Sequence, residues 1–346
     1  MNMKAIAVLG PGQVKLVDDV PVPQPGDYEV LLKVLTCGFC NGTDMQIVNG
    51  TLGKNEGMGD YPTLLGHEGI GEVVAMGGKV RHIQMGDRFL HPNIRPDVGN
   101  GYTKTYGGMA DYGLAADHQA MLEDGFTPKQ LPYVNRFKLL PKSLDPVDGA
   151  AFLSMSEALS AVRNFGIAPG MDLLIYGAGP LGLGVAAYSR LLGAASITMV
   201  DGNDARLERA DRAAHLDAGI NRRTQDVDAA LEGKSFDVAV DAAGSVDVLL
   251  NATRRLRPGG KLGSLGVLPK TANTISLTNL QNNTTLHMLN LPYAEYDVMD
   301  ENLRYIAEGK IDPKDFYSHV LPREQILECI EMVRSKRAFK VILTIN

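Results

Sequence analysis

The stretch "DLLIYGAGPLGLGVAAYSRLLGAASITMVD", residues 172–201, constrains this chain more than any other. An apolar strand runs into Gly177-x-Gly179-x-x-Gly182, and a helical pattern follows at once. Gly177 permits the tight turn, Gly179 lets the backbone approach a pyrophosphate, and Gly182 lets helix and strand pack closely. Pro180 and Leu181 fill the next two positions and open the helix, whose free amides and dipole end attract phosphate. Asp201 ends the following strand 19 positions after Gly182. An acidic residue there meets the adenosine ribose hydroxyls. A glycine-rich turn without a ligand is the alternative, but strand, helix and acid all fall in register. The expectation is a dinucleotide site. A carboxylate would repel a 2′-phosphate, so the cofactor expected is NAD rather than NADP. Arg206, five residues beyond Asp201, could serve a 2′-phosphate or simply cover the adenine.

Around this motif the texture of the chain changes twice. Residues 1–150 are rich in Gly and Pro, with short β-branched runs such as "KAIAVLG", "EVLLKVL" and "GIGEVVAMG". They predict an irregular, mainly β domain. From 151 to 294, strands alternate with helical stretches ("SITMVD", "FDVAVDAAG", "VDVLLNATRRL", "KLGSLGV"), which implies βαβ units and a parallel sheet. Residues 295–346 hold an amphipathic helix in "DENLRYIAEGK", a second helix from "ILECIEMV" and a closing strand, "KVILTIN". A closing strand is easiest to place beside the first domain. The α/β domain is therefore expected as an insertion between 1–150 and 295–346.

The chain has 346 residues and a formal net charge of −6, with 45% hydrophobic and 21% charged residues. That length suits about two domains of ~150 residues. The acidic balance speaks against a nucleic-acid binder. "RRLR" at 254–257 and "SKRAFK" at 335–340 read as solvated helix ends. No run of about 18 uncharged apolar residues is present, so no membrane span is expected. The first residues read as a strand rather than a signal peptide. Three cysteines, Cys37, Cys40 and Cys329, suit a reducing cytoplasm and cannot build a four-thiolate zinc site in one subunit.

"CGFC" at 37–40 could be a redox dithiol or contribute to a metal site. A thioredoxin-type βαβ context is missing around it, which disfavours the first reading. If Cys40 holds a metal, its partners are of other residue types, as in an open catalytic site.

"CGFC" followed by "GTD", then "GHEGIGEVVAMG" at 66–77 and "GDR" at 86–88, resembles the zinc-dependent medium-chain alcohol and polyol dehydrogenases. The order continues with "GAGPLG", "DVAVDAAG", "LRPGGKLGSLG" and "KVIL", so the resemblance covers nearly the whole chain. It implies a Rossmann domain inserted in a mainly β, GroES-like catalytic domain. It implies Cys40 and His67 as catalytic zinc ligands, Glu68 as an adjacent carboxylate paired with Lys340, and Asp44 as the acid that orients His67. Cys37 then corresponds to a packing cysteine.

Three departures accompany the resemblance. The stretch 91–112 lacks the four cysteines of the family's second, structural zinc, so one zinc is expected. Leu153 stands where the family places a third catalytic ligand; either Glu68 or Glu157, one helical turn beyond, would complete the sphere. Asn41 has the look of an insertion, which puts the proton-relay hydroxyl at Thr43. "YGGMADY" at 106–112 resembles a structural strand of the family.

The activity implied is NAD-dependent oxidation of a secondary alcohol of a polyol, sugar or cyclitol, with a small polar substrate. Alternatives are an NAD-retaining epimerase or lyase of the same fold, or a non-catalytic nucleotide-binding relative. A homodimer or homotetramer is expected, with "NTISLTN" at 273–279 as the sheet edge that pairs.

Overall fold

The structure, a computed structural model, describes residues 1–52, 60–104, 106–133, 137–266, 268, 278, 280–290 and 293–345. The chain divides into two compact units, Met1–Leu153 with Tyr317–Asn346, and Ser154–Phe316.

In the first unit the strands are β1 (Asn2–Gly10), β2 (Gln13–Pro21), β3 (Glu29–Phe39), β4 (Thr63–Leu64), β5 (Glu68–Met76), β6 (Arg88–Leu90), β7 (Thr103–Lys104), β8 (Tyr112–Ala116) and β9 (Lys138–Leu140). Helices α1 (Thr43–Asn49), α2 (His118–Glu123) and α3 (Pro146–Gly149) connect them, and α4 (Phe152–Asn164) begins at the junction. The second unit holds β10 (Asp172–Tyr176), α5 (Pro180–Leu191), β11 (Ser196–Asp201), α6 (Asp204–Ala214), β12 (Ala218–Asn221), α7 (Val227–Ala230) and β13 (Phe236–Asp241). It continues through α8 (Val246–Thr253), β14 (Leu256–Ser264), β15 (Thr285–Met288) and α9 (Met299–Ala307). The chain then returns to the first unit with β16 (His319–Pro322), α10 (Ile326–Arg334) and β17 (Val341–Thr344).

The closing strand finds the partner its apolar sequence requires. β17 pairs antiparallel with β3, and the larger sheet runs β16-β17-β3-β5-β6-β9, with β8 also on β3. Val34, Cys37 and Phe39 of β3 share a buried cluster with Ile326, Cys329 and Ile330 of α10 and with Val341 and Leu343. Two segments distant in sequence thus bury their apolar faces in one core, which offsets the entropy of closing the long connection.

The second unit is a parallel sheet in the order β12-β11-β10-β13-β14-β15. That is the doubly wound Rossmann order, whose direction of progression reverses between β10 and β13. The near-continuous apolar runs of β10 and β13 fit strands covered on both faces.

The return to the first unit falls at Tyr317, where the sequence reading placed it at 295. Helix α9 accounts for the difference. Its buried Asn302 accepts from the Tyr188 hydroxyl at 2.6 Å and donates to Ser156 Oγ at 3.0 Å. Such fully buried polar partners hold α9 in the α/β unit, since separating them would strand polar groups away from water. The segment 273–279, expected as an edge strand, lies outside the described residues except for Thr278.

Candidate active site

The dinucleotide turn is built as its glycines require. Gly177 sits at φ +101°, and a Cβ there would meet the backbone of Ala242 at 2.9 Å. A Cβ on Gly182 would run into the Gly177 carbonyl, whereas nothing lies within 4 Å of one on Gly179. The open side of Gly179 is where a pyrophosphate would approach. Gly179 caps α5 with Pro180 in its first turn. Asp201 ends β11 and accepts the Ala178 N–H at 2.8 Å, which ties the acid to the glycine loop. Arg206 stands half-buried in the first turn of α6, its N–H on the Asn203 side chain at 3.2 Å.

The sequence reading missed two neighbours of this turn. A Cβ on Gly202 would meet Arg223 Nε at 3.1 Å and Arg222 Nε at 3.5 Å, so two guanidinium groups flank the residue after Asp201. The signal was "NRRT" at 221–224, directly after β12. Asp241 was the other. Buried at the end of β13, it accepts the N–H groups of Ala243 and Gly244 at 2.9 Å each and shapes the turn beside Gly177.

In the first unit, Cys40, His67 and Glu68 offer a sulfur, a nitrogen and an oxygen that lie within 4.8 Å of one another. β3 delivers Cys40 and β5 starts at Glu68; the strands pair antiparallel, with Gly38 opposite Glu68. A Cβ on Gly38 would overlap Glu68 Oε2 and come within 2.7 Å of the Ala150 carbonyl, so the glycine of "CGFC" makes the room for that carboxylate.

Asp44 braces the group from behind. Wholly buried, it accepts the Cys40 N–H on Oδ2 at 2.9 Å and places Oδ1 3.4 Å from His67 Nδ1. The second distance is longer than a good hydrogen bond and acts as an electrostatic contact. With Nδ1 turned to Asp44, the other ring nitrogen faces Glu68 Oε1 at 4.0 Å. Glu68 Oε2 is ion-paired with Lys340, one residue before β17. Thr43 opens α1, and its N–H donates to Cys40 Sγ at 3.3 Å.

The donor set fits a zinc ion: thiolate, imidazole and carboxylate in a buried pocket, with a further acid fixing the histidine tautomer. The electrostatics point the same way. Burial opposes a charge on His67, yet the Asp44 carboxylate and Cys40 push its pKa well above the usual value. The anionic surroundings that favour a proton on His67 would equally favour a metal cation in its place.

Leu153 is a buried apolar residue and offers no donor. Glu157 is half-buried on α4 in the other unit and is not one of the three grouped ligands. Cys37 is fully buried, and burial pushes its thiol well above the usual range, which suits packing. Asn41 donates from Nδ2 to the Phe339 carbonyl at 2.7 Å, fastening the Cys40 loop beside Lys340.

Two family models match the chain: the alcohol dehydrogenase GroES-like domain over residues 26–126 and the zinc-binding dehydrogenase domain over residues 180–305. The chain belongs to the zinc-dependent medium-chain alcohol/polyol dehydrogenase family, and it is an oxidoreductase. It is 27% identical over 340 residues to a sorbitol dehydrogenase of Bacillus subtilis (strain 168), covering 95% of this chain and 93% of that one. In fold it is similar to benzyl alcohol dehydrogenase from Acinetobacter calcoaceticus, with a TM-score of 0.84 at 20% identity and full coverage of both chains. A protein of Sinorhizobium meliloti 1021 bound to NADP shares the fold at a TM-score of 0.80 and 24% identity, with 99% of each chain covered.

Proposed function

We propose that this dehydrogenase oxidises a secondary hydroxyl of a polyol, sugar or cyclitol, using NAD and one zinc ion held by Cys40, His67 and Glu68. The observation that carries the reading is the convergence of these three donors within 4.8 Å, braced by Asp44 and Lys340. The likeness to a sorbitol dehydrogenase supports a polar, polyhydroxylated substrate. Bound zinc would lower the pKa of a substrate hydroxyl, and bound NAD would accept the hydride. Asp44 holds the His67 tautomer, Lys340 pairs with Glu68 in a buried place, and the Thr43 hydroxyl relays the released proton on to water. Gly177, Gly179, Pro180, Leu181 and Gly182 seat the pyrophosphate, and Asp201 takes the ribose hydroxyls. Metal analysis together with NAD reduction across a panel of polyols, sugars and cyclitols tests the reading. Zinc-free protein with full activity would overturn the metal assignment.

A second reading concerns the cofactor. Arg222 and Arg223 beside Gly202 supply the charge that a 2′-phosphate needs, so NADP is a competing choice. Comparing kcat/KM for the two cofactors decides between Asp201 and the arginine pair.

The assembly proposed is a homodimer or a dimer of dimers, paired through the edge of the Rossmann sheet. Among the described residues β15 ends that sheet, and its Leu286 and Met288 are exposed. A monomeric mass by light scattering would overturn this. No helix among the described residues is long and apolar enough to cross a membrane. The three free cysteines favour a reducing compartment such as the cytoplasm.

A further inference from the structure

Tyr106, which the sequence alone placed in a structural strand, lies against the metal-site histidine. Its ring centroid is 4.6 Å from that of His67, with the planes tilted by 43°. The contact is built from the backbone outward. Tyr106 N–H donates to the Leu64 carbonyl at 3.2 Å, Gly107 and Gly108 to Gly66 at 3.1 and 2.7 Å, and Met109 to Leu65 at 3.1 Å. Four bonds thus tie residues 106–109 to the three residues that precede His67. The two segments approach so closely that a Cβ on Gly66, itself at φ +97°, would meet Met109 at 2.6 Å. Tyr106 also meets His91, with centroids 6.2 Å apart and planes at 79°. His91 is buried, holds a left-handed φ of +64°, and donates its N–H to the carbonyl of Gly69 at 2.7 Å, one residue after Glu68. The Tyr106 ring is therefore referenced to both sides of the His67-Glu68 pair.

An imidazole with Asp44 at Nδ1 can still rotate its plane about that contact, because 3.4 Å is a loose restraint. A rigid aromatic ring against its face removes that freedom at small entropic cost. We propose that Tyr106 is a positioning residue for His67. Its ring, held between His67 and His91, sets the imidazole plane so that Nε2 faces Cys40 and Glu68. This rests on the metal-site reading above. The ring carries the effect and the hydroxyl does not.

The test uses full-length protein and Zn²⁺ or Co²⁺ alone as the probe. Affinity is read by competition with a chromophoric chelator, ligand geometry by the visible bands of the Co²⁺ protein, and stability by the urea midpoint of the metal-free form. Tyr106→Leu is expected to weaken metal binding about 10–100-fold, as loss of groups that orient ligands does, and to alter the Co²⁺ bands. Tyr106→Phe is expected to restore both to wild-type values. A folded Tyr106→Leu protein with wild-type affinity and spectrum overturns the proposal, even if its urea midpoint falls. If Tyr106→Leu does not fold, His91→Leu takes its place. It removes the second ring and leaves Tyr106, so a several-fold loss with shifted bands supports the proposal and no change overturns it. Wild-type protein that takes up neither metal overturns the metal site itself and this inference with it.

Discussion

Lys340 is ion-paired with Glu68, and each side chain is only 2% exposed. A lone buried carboxylate is costly, so the pair is far harder to break than a surface bridge. Lys340→Met should destabilise the metal-free protein by about 3–5 kcal/mol in urea unfolding. The double change Lys340→Met with Glu68→Gln should cost clearly less than the sum of the singles. Additivity would show that the two groups do not interact.

Gly38 is the second element of that arrangement. Gly38→Ala should push the Glu68 carboxylate out of its place opposite β3, because the added methyl would overlap Oε2. Zinc occupancy should fall while dinucleotide binding, which depends on the other unit, is retained. Equilibrium dialysis with zinc and fluorescence titration with NADH would check both arms.

Glu68 and Glu157 can be separated directly. Glu68→Gln should lower zinc content and abolish turnover, whereas Glu157→Gln should keep its metal. Full zinc occupancy in Glu68→Gln would remove this carboxylate from the ligand set.

The cofactor prediction turns on charge. Asp201→Ala removes an acceptor for the ribose hydroxyls and should cost NAD affinity by about 1.5–3 kcal/mol, roughly ten- to a hundredfold. Arg222→Ala with Arg223→Ala should reduce NADP use and leave NAD almost untouched. A wild type that prefers NADP would reverse the weight given to Asp201.

Asp117 yields a pH prediction away from the site. Its buried carboxylate accepts the N–H groups of Arg81 and His82 at 2.7 Å and of Ala120 at 2.9 Å, the last capping α2. Burial works to raise its pKa, but these backbone bonds outweigh it and hold the group below the usual carboxylate value. A depressed folded-state pKa stabilises above the unfolded value of about 3.9, and the contribution is lost as pH falls through the folded pKa. Asp117→Asn should therefore lose about 1–3 kcal/mol at neutral pH and show a shallower acid limb in urea midpoints between pH 5 and about 2. Identical acid limbs would contradict it.

The sequence by itself determined the parts whose geometry is local. One strand, one turn and one helix suffice for Gly177, Gly179 and Gly182, because 3.6- and 2-residue periods carry their directions directly. Asp201 follows from the same βαβ unit. The apolar closing strand required a sheet partner, and β3 provides it. Cys40, His67 and Glu68 were named through resemblance; spacing alone says nothing of a contact between residues 40 and 67. Tertiary structure decided the rest. Register between β3 and β5 put Gly38 under Glu68, and β17 carried Lys340 to it across most of the chain. Packing of α9 through Asn302 set where the first unit resumes. Tyr106 on His67 comes from a loop that backbone pairing brings to residues about 40 positions earlier, and the two arginines at Gly202 come from the loop after β12, set beside Asp201 by the pairing of β11 with β12. Loop contacts of that kind leave no period in the sequence, because backbone pairing elsewhere fixes them.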